Sequence, residues 1–350
     1  MTAQPRIPLW PLVLAIGMGA VDTQVVAPLL NTVATDLHVT IGIAGLLVTA
    51  YALASAVAAP FAGPATARLG ANRLLTIGIW ILFAGTLVCA VSWSFPILVL
   101  GRIIAGIGGG LAMTMCHVYV AQMIPYAERG RAVGWMGSGF FVASIVGIPI
   151  GAVLAEYFGW RWTFGILALL TLAIVPPLNR LAPAPAGEPF RFRDYGPLLA
   201  APGVRPALLS FGIMLAGISA VTTYIGAWLE LDFGLRPSQV GLVYMMGGLA
   251  ALYGGPAGGR LADLVGKKRV AVIANLVMAT WILLIPEAPS VWLATLIVVG
   301  MHFTGSCRFP AMISMLGEAV PPAGRGPLLL ANHSAILVGI SIGSWFGGRL

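Results

Sequence analysis

The chain has 350 residues, of which 59% are hydrophobic and 9% charged, with a mean hydropathy of +0.95 and a formal net charge of +8. Soluble domains carry roughly 25% charged residues, so a chain this apolar would present large sticky patches to water. The composition excludes an ordinary soluble fold and points to a polytopic all-α membrane protein.

The N-terminal stretch, "MTAQPRIPLWPLVLAIGMGAV", holds one arginine and then a long apolar run without an A-x-A-like cleavage site, so it reads as an uncleaved first span. Windows of ~20 apolar residues predict helices near 9–31, 42–64, 74–94, 96–120, 132–156, 161–178, 206–229, 238–258, 269–286, 289–316 and 326–350. The polar, Pro-rich stretch between the sixth and seventh divides the chain into 1–178, a cytoplasmic linker 179–205, and 206–350. With the N-terminus in the cytoplasm, fourteen Lys/Arg fall in inner loops and only Arg161 and Arg236 in outer ones. That asymmetry is the positive-inside pattern and places the chain in a cell (inner) membrane. It also accounts for the positive charge, because the cations lie in short connections and form no basic face for nucleic acid.

The chain matches itself at an offset of 196 residues. Asp36 meets Asp232, Pro60 meets Pro256, Gly63, Gly70 and Arg73 meet Gly259, Gly266 and Arg269, and Arg129 meets Arg325. Six helices separate the copies, so the repeats are parallel, an architecture that places a site between two halves. Two full copies at this spacing exceed 350 residues, and the piece without a partner is the sixth helix. A twelfth helix is therefore expected, its absence reflecting a fragment or an eleven-helix variant.

Ionisable groups inside apolar spans carry the functional signal. Asp22 lies thirteen residues past Leu9, about 20 Å into the first span at 1.5 Å per residue. Arg102, in the oppositely directed fourth span, falls at the same depth. The pair is either a structural bridge or a proton-linked site in which Asp22 takes up a proton and Arg102 tunes it. His302 and Arg308 lie in the tenth span and are candidates to face the cavity from the second half, with an anionic ligand group or Asp22 as candidate partners of Arg308. Tyr224 and Trp228 in the seventh span, with Asn332 and His333 in the eleventh, are candidate cavity-lining residues. Cys89, Cys116 and Cys307 sit in apolar runs as packing residues, and no metal-ligand spacing, nucleotide-binding signature or nucleophile–base pair occurs in the sequence. An enzyme is not expected, nor a cofactor or metal.

These stretches resemble the major facilitator superfamily, in particular its twelve-helix drug:proton antiporter branch. "GRLADLVGKKR" (Gly259, Asp263, Gly266, Lys267, Lys268 and Arg269) looks like the family's signature loop, and "GPATARLGANR" (Gly63, Arg68, Gly70 and Arg73) like its counterpart in the first half. "LVLGRIIAGIGGG" is similar to the fourth-helix motif, with Arg102 as its arginine. "GSGFFVASIVGIPIGAVLAEYFGWRWTF" resembles the fifth-helix antiporter motif through Gly139, Gly147, Pro149 and Gly151, although "GIPIGA" departs from the usual G-P-x-x-G-G. The resemblance implies two six-helix bundles and proton-coupled efflux of a small organic compound by a monomer in the lipid bilayer. Uptake of a metabolite and a non-transporting receptor or scaffold on the same fold are the alternatives. It also implies that Asp263 latches one half against the other in the outward-open state. The first copy has Ala67 at that position, so the latch is expected to be one-sided.

Overall fold

The computed structural model describes residues 8–184, 195–320 and 324–349, and among these the regular structure is helical. Helix α1 runs Trp10–Gln24 and, after a 43° bend, Val26–Asp36. Helix α2 opens with the turn Ile41–Ala44 and continues as Leu46–Leu69. Helices α3 (Ala71–Ala90) and α4 (Phe95–Met123) follow. Helix α5 comprises Tyr126–Val142, a π turn Ala143–Gly147 and Ile148–Phe158. Helix α6 is Trp160–Asn179. A short helix Tyr195–Ala200 precedes α7, which breaks at Thr223–Tyr224 into Val204–Thr222 and Ile225–Phe233. The rest are α8 (Pro237–Val265), α9 (Lys267–Leu283), α10 (Val291–Glu318) and α11 (Arg325–Gly347).

Eleven spans were expected. Among the described residues nine helices are long and apolar enough to cross a bilayer, and the bent α1 makes ten. The expected span 269–286 is α9, with 17 residues. At 1.5 Å per residue it covers about 25 Å, short of a ~30 Å hydrocarbon core, and it opens with Lys267, Lys268 and Arg269. Prolines 60, 64 and 256 sit inside helices, where neighbouring helices make such residues tolerable in a membrane.

Glycine sets the closest approaches. A Cβ on Gly108 of α4 would lie 2.2 Å from the Leu82 amide nitrogen of α3, and one on Gly258 of α8 would overlap the Cys307 carbonyl of α10. Close backbone contact of this kind supplies van der Waals attraction where lipid removes the hydrophobic drive between helices.

The internal repeat is visible in the backbone. Gly70 and Gly266, 196 residues apart, end α2 and α8 with φ of +78° and +96°. His38 and Gly234 form a second such pair, with φ of +54° and +66°. Ser55 of α2 donates to the Gly106 carbonyl of α4 at 2.6 Å. In the second copy Ser306 of α10 donates to Ala251 of α8, again at 2.6 Å. Ser55 and Ala251 are repeat mates, so the same helix pair is tied at the same level with donor and acceptor exchanged.

Helices α1–α6 pack as one bundle and α7–α11 as another. The bundles meet through α2 with α11, α5 with α8, and the second segments of α1 and α7. Among the described residues, the hydrogen bonds and ion pairs between bundles lie at one end, where α1 finishes and α2 begins. Thr49 shares a 2.8 Å bond with Ser344, Asn31 donates to Glu230, and Glu156 accepts from the Ser238 amide. Ala52 and Ala56 pack on Leu337 beside them.

Candidate functional site

Asp22 and Arg102 meet. An Arg102 Nη1 proton is donated to Asp22 Oδ2 at 2.8 Å, with the two side chains 3% and 0% exposed. Four helices hold them. Thr86 of α3 donates to Asp22 Oδ1 at 3.0 Å, and Arg102 Nε donates to the Leu47 carbonyl of α2 at 3.4 Å. The guanidinium lies over the Tyr51 ring at 4.3 Å, with the Phe164 ring of α6 6.0 Å away. Tyr51 donates in turn to Gly19 of α1. Depth along the spans pairs the two charges, whereas Thr86 and Tyr51 carry no sequence signal beyond a hydroxyl in the middle of an apolar span.

The pair is incompletely satisfied: Arg102 Nη2 is buried without a hydrogen-bond partner. A buried ion pair is weak support for stability, because removing two charges from water costs more than an imperfect bridge returns.

Among the described residues the second bundle has no equivalent bridge. Arg308 of α10 is buried and donates from Nη1 to Asn275 Oδ1 of α9 at 2.6 Å, with Nε unpartnered. It does not reach Asp22, whose oxygens are engaged by Arg102 and Thr86. His302 bonds through Nδ1 to the Val298 carbonyl one turn earlier and stands edge-on to Tyr244. Tyr224 donates to the Ser344 carbonyl at 2.6 Å and packs against Gly45, which makes it part of the contact between bundles. Trp228 meets Phe233 edge-on at 5.2 Å. Asn332 is buried with Oδ1 unpartnered, and half-buried His333 follows it.

The fifth-helix motif faces α1. A Cβ on Gly139 would sit 2.4 Å from the Val13 carbonyl, and one on Gly147 would sit 2.4 Å from a Val21 methyl. Gly151 accepts from Thr163 of α6 at 2.8 Å, while Pro149 packs on Gly241 of α8. The π turn touches both α1 and, in the other bundle, α8. Between α1, α5 and α6 lies an apolar groove of about 270 Å³, bordered by Val13, Gly17, Gly147 and Leu170.

In the signature loops Arg68, Arg73, Asp263, Lys268 and Arg269 are exposed, and Gly63 and Gly259 lie within the preceding helices. Lys267 pairs with Glu318 at the end of α10, and Asp263 has no ion pair among the described residues. Neither Arg260 nor Lys267 pairs with Asp263 in this conformation. Among the described residues no three His, Cys, Asp or Glu side chains cluster to hold a metal.

Two parallel helical bundles joined at one end, with an ion pair buried at mid-depth, define a membrane transporter fold. Its sequence pattern is that of the Major Facilitator Superfamily, whose family model matches residues 12–231 and 207–350, and the chain belongs to this family. It is 25% identical over 334 residues to the uncharacterized MFS-type transporter YceJ of Bacillus subtilis, covering 94% of this chain and 85% of that one. To a chloramphenicol resistance protein of Streptomyces lividans it is 27% identical over 349 residues, covering 96% and 87%. Among solved structures it superposes on the inward-open xylose transporter XylE of E. coli with a TM-score of 0.79 at 18% identity, covering 98% and 89%. A D-xylose–proton symporter gives 0.77 at 18% identity, covering 97% and 89%. By its family the protein is a multipass membrane transporter, not an enzyme.

Proposed function

We propose that the protein couples proton movement at Asp22 to efflux of a small organic compound by alternating access. The observation that carries this reading is the Asp22–Arg102 pair, buried at mid-depth and left one hydrogen bond short. An intramembrane carboxylate is costly, and a proton relay is the function that repays it. Efflux draws support from the fifth-helix motif and from the relation to a chloramphenicol resistance protein.

The Lys/Arg asymmetry supports a cytoplasmic N-terminus, which makes the closed end external and the conformation inward-open. The domains are then 1–178 and 206–350 on the linker 179–205, working as a monomer, with His302, Asn332 and His333 available to a cavity open on the inner side. Asp263, free of an ion pair here, latches the cytoplasmic end when it closes. In Asp263→Asn, crosslinking between cytoplasmic-loop cysteines on the two bundles is expected to slow several-fold under conditions that favour the outward-open state. An unchanged rate reduces the loop to a topology signal.

The coupling reading is tested in proteoliposomes carrying an imposed pH gradient and a panel of amphipathic compounds. Compound movement against the proton flux supports efflux, movement with it supports uptake, and binding without flux supports a receptor.

A further inference from the structure

The contact between bundles contains two carboxylates in opposite settings. Glu156 of α5 accepts from the Ser238 amide at 2.9 Å, at the N-terminus of α8, and lies 3.5 Å from exposed Arg236. A helix N-terminus and a cation both favour its ionised form. Glu230 of α7 has neither. Its Oε2 accepts from the Asn31 side-chain amide of α1 at 2.7 Å, and its Oε1 is buried with no partner.

Among the described residues no charged group comes to its aid from the elements packed against it. On α1, Asp36 is taken up by Arg161 and Trp160 within the first bundle. On α8, Arg236 faces Glu156, and Tyr244 donates to the Thr222 carbonyl. On α10, His302 bonds Val298. On its own helix, Tyr224 donates to Ser344, and Asp232 is exposed. The seal over Glu230 is made by the closure itself: its helix meets α1 at Gly226, where a Cβ would lie 2.7 Å from the Ala27 carbonyl.

We propose that Glu230 is a proton-binding site, in addition to Asp22, that takes up one proton when this end of the transporter closes and returns it to solvent when the end opens. Closing strips water from a carboxylate and offers one neutral donor in exchange. A neutral acid tolerates that loss far better than an anion does. Opening separates Asn31 from Glu230 and restores hydration to both oxygens. The proton exchanged is solvent's own, so no further reactant is needed. Nothing here depends on the role of Asp22 or on which side of the membrane this end faces.

The test reads closure without flux. Trp93 and Glu287 are exposed in the loops that follow α3 and α9 at this end, one on each bundle, and the three native cysteines are buried. Nitroxide labels on Trp93→Cys and Glu287→Cys report the closed-to-open ratio by pulsed distance measurement in detergent. Glu230→Gln is expected to exceed the parent in closed-to-open ratio at pH 8.5 by about tenfold for each pKa unit that closure raises Glu230, and by less than about twofold at pH 4, below the ordinary glutamate value of about 4.3. Taking the difference between variant and parent cancels the titration of Glu156 and of the histidines. Asn31→Asp, which sets a second carboxylate against Glu230, is expected to shift the pH midpoint of closure by about one unit or more. A variant-to-parent ratio that is the same at both pH values, or an Asn31→Asp midpoint equal to the parent's, overturns the proposal.

Discussion

Arg102→Ala is expected to abolish proton-coupled flux and to destabilise the first bundle by about 3–5 kcal/mol, the range for removing one partner of a buried ion pair. The substitution leaves Asp22 with Thr86 as its one donor and empties the space over Tyr51. Asp22→Asn is milder for folding. The amide retains an oxygen for Thr86 and Arg102, and the guanidinium keeps its contacts with Leu47 and Tyr51. It is expected to insert and fold normally but to move substrate without protons or not at all. The informative comparison is the double variant Arg102→Gln with Asp22→Asn. If the pair were only a bridge, neutralising both charges would leave stability and flux near the parent's. On the proton-linked reading stability returns and coupling does not. Thermal melts in detergent and proton flux in proteoliposomes, read as a double-mutant cycle, separate the two cases. Unchanged coupled flux in Asp22→Asn would refute the assignment.

The depth of that pair was legible because a helix converts sequence distance into height with little freedom. Two charges the same distance from opposite ends of antiparallel spans had to lie level. Which faces they turn to each other is a lateral question, and one sequence leaves it open. Thr86 reaches Asp22, and Tyr51 and Asn275 reach the buried arginines, from neighbouring helices with no motif to mark them. Glu230 went unnoticed for a related reason. It sits near the end of an apolar run, where a carboxylate reads as part of a loop, yet α7 continues past its break to Phe233 and carries Glu230 into the contact between bundles. The repeat was read from identical residues, such as Gly70 with Gly266. The match of His38 to Gly234 is invisible in letters, since histidine and glycine share only a left-handed backbone there. The expected span 269–286 is displaced by two to three residues from α9, which starts at Lys267 and ends at Leu283.

The glycines at close helix approaches divide into those within a bundle and those between bundles. Gly108 lies within a bundle, where a Cβ would meet the Leu82 amide nitrogen at 2.2 Å and the Gly78 carbonyl at 2.6 Å. These are backbone atoms of α3, which cannot swing aside as a side chain can. Gly108→Leu must force α3 and α4 apart, and overpacking of this kind costs about 1–3 kcal/mol or more. Gly226 lies between the bundles, facing the Ala27 carbonyl at 2.7 Å and the Pro28 Cα at 2.9 Å. These too are backbone atoms, but they belong to the other bundle. A transporter that works by alternating access already has a motion that moves them away. Gly226→Leu is therefore expected to wedge this end open while the melting temperature stays near the parent's. The distance between labels at Trp93→Cys and Glu287→Cys should lengthen in Gly226→Leu, whereas Gly108→Leu should lose stability with no such change in the folded fraction. If Gly226→Leu keeps the parent's label distance and melts as early as Gly108→Leu, the contact is fixed packing and the closed end does not open by separating α1 from α7.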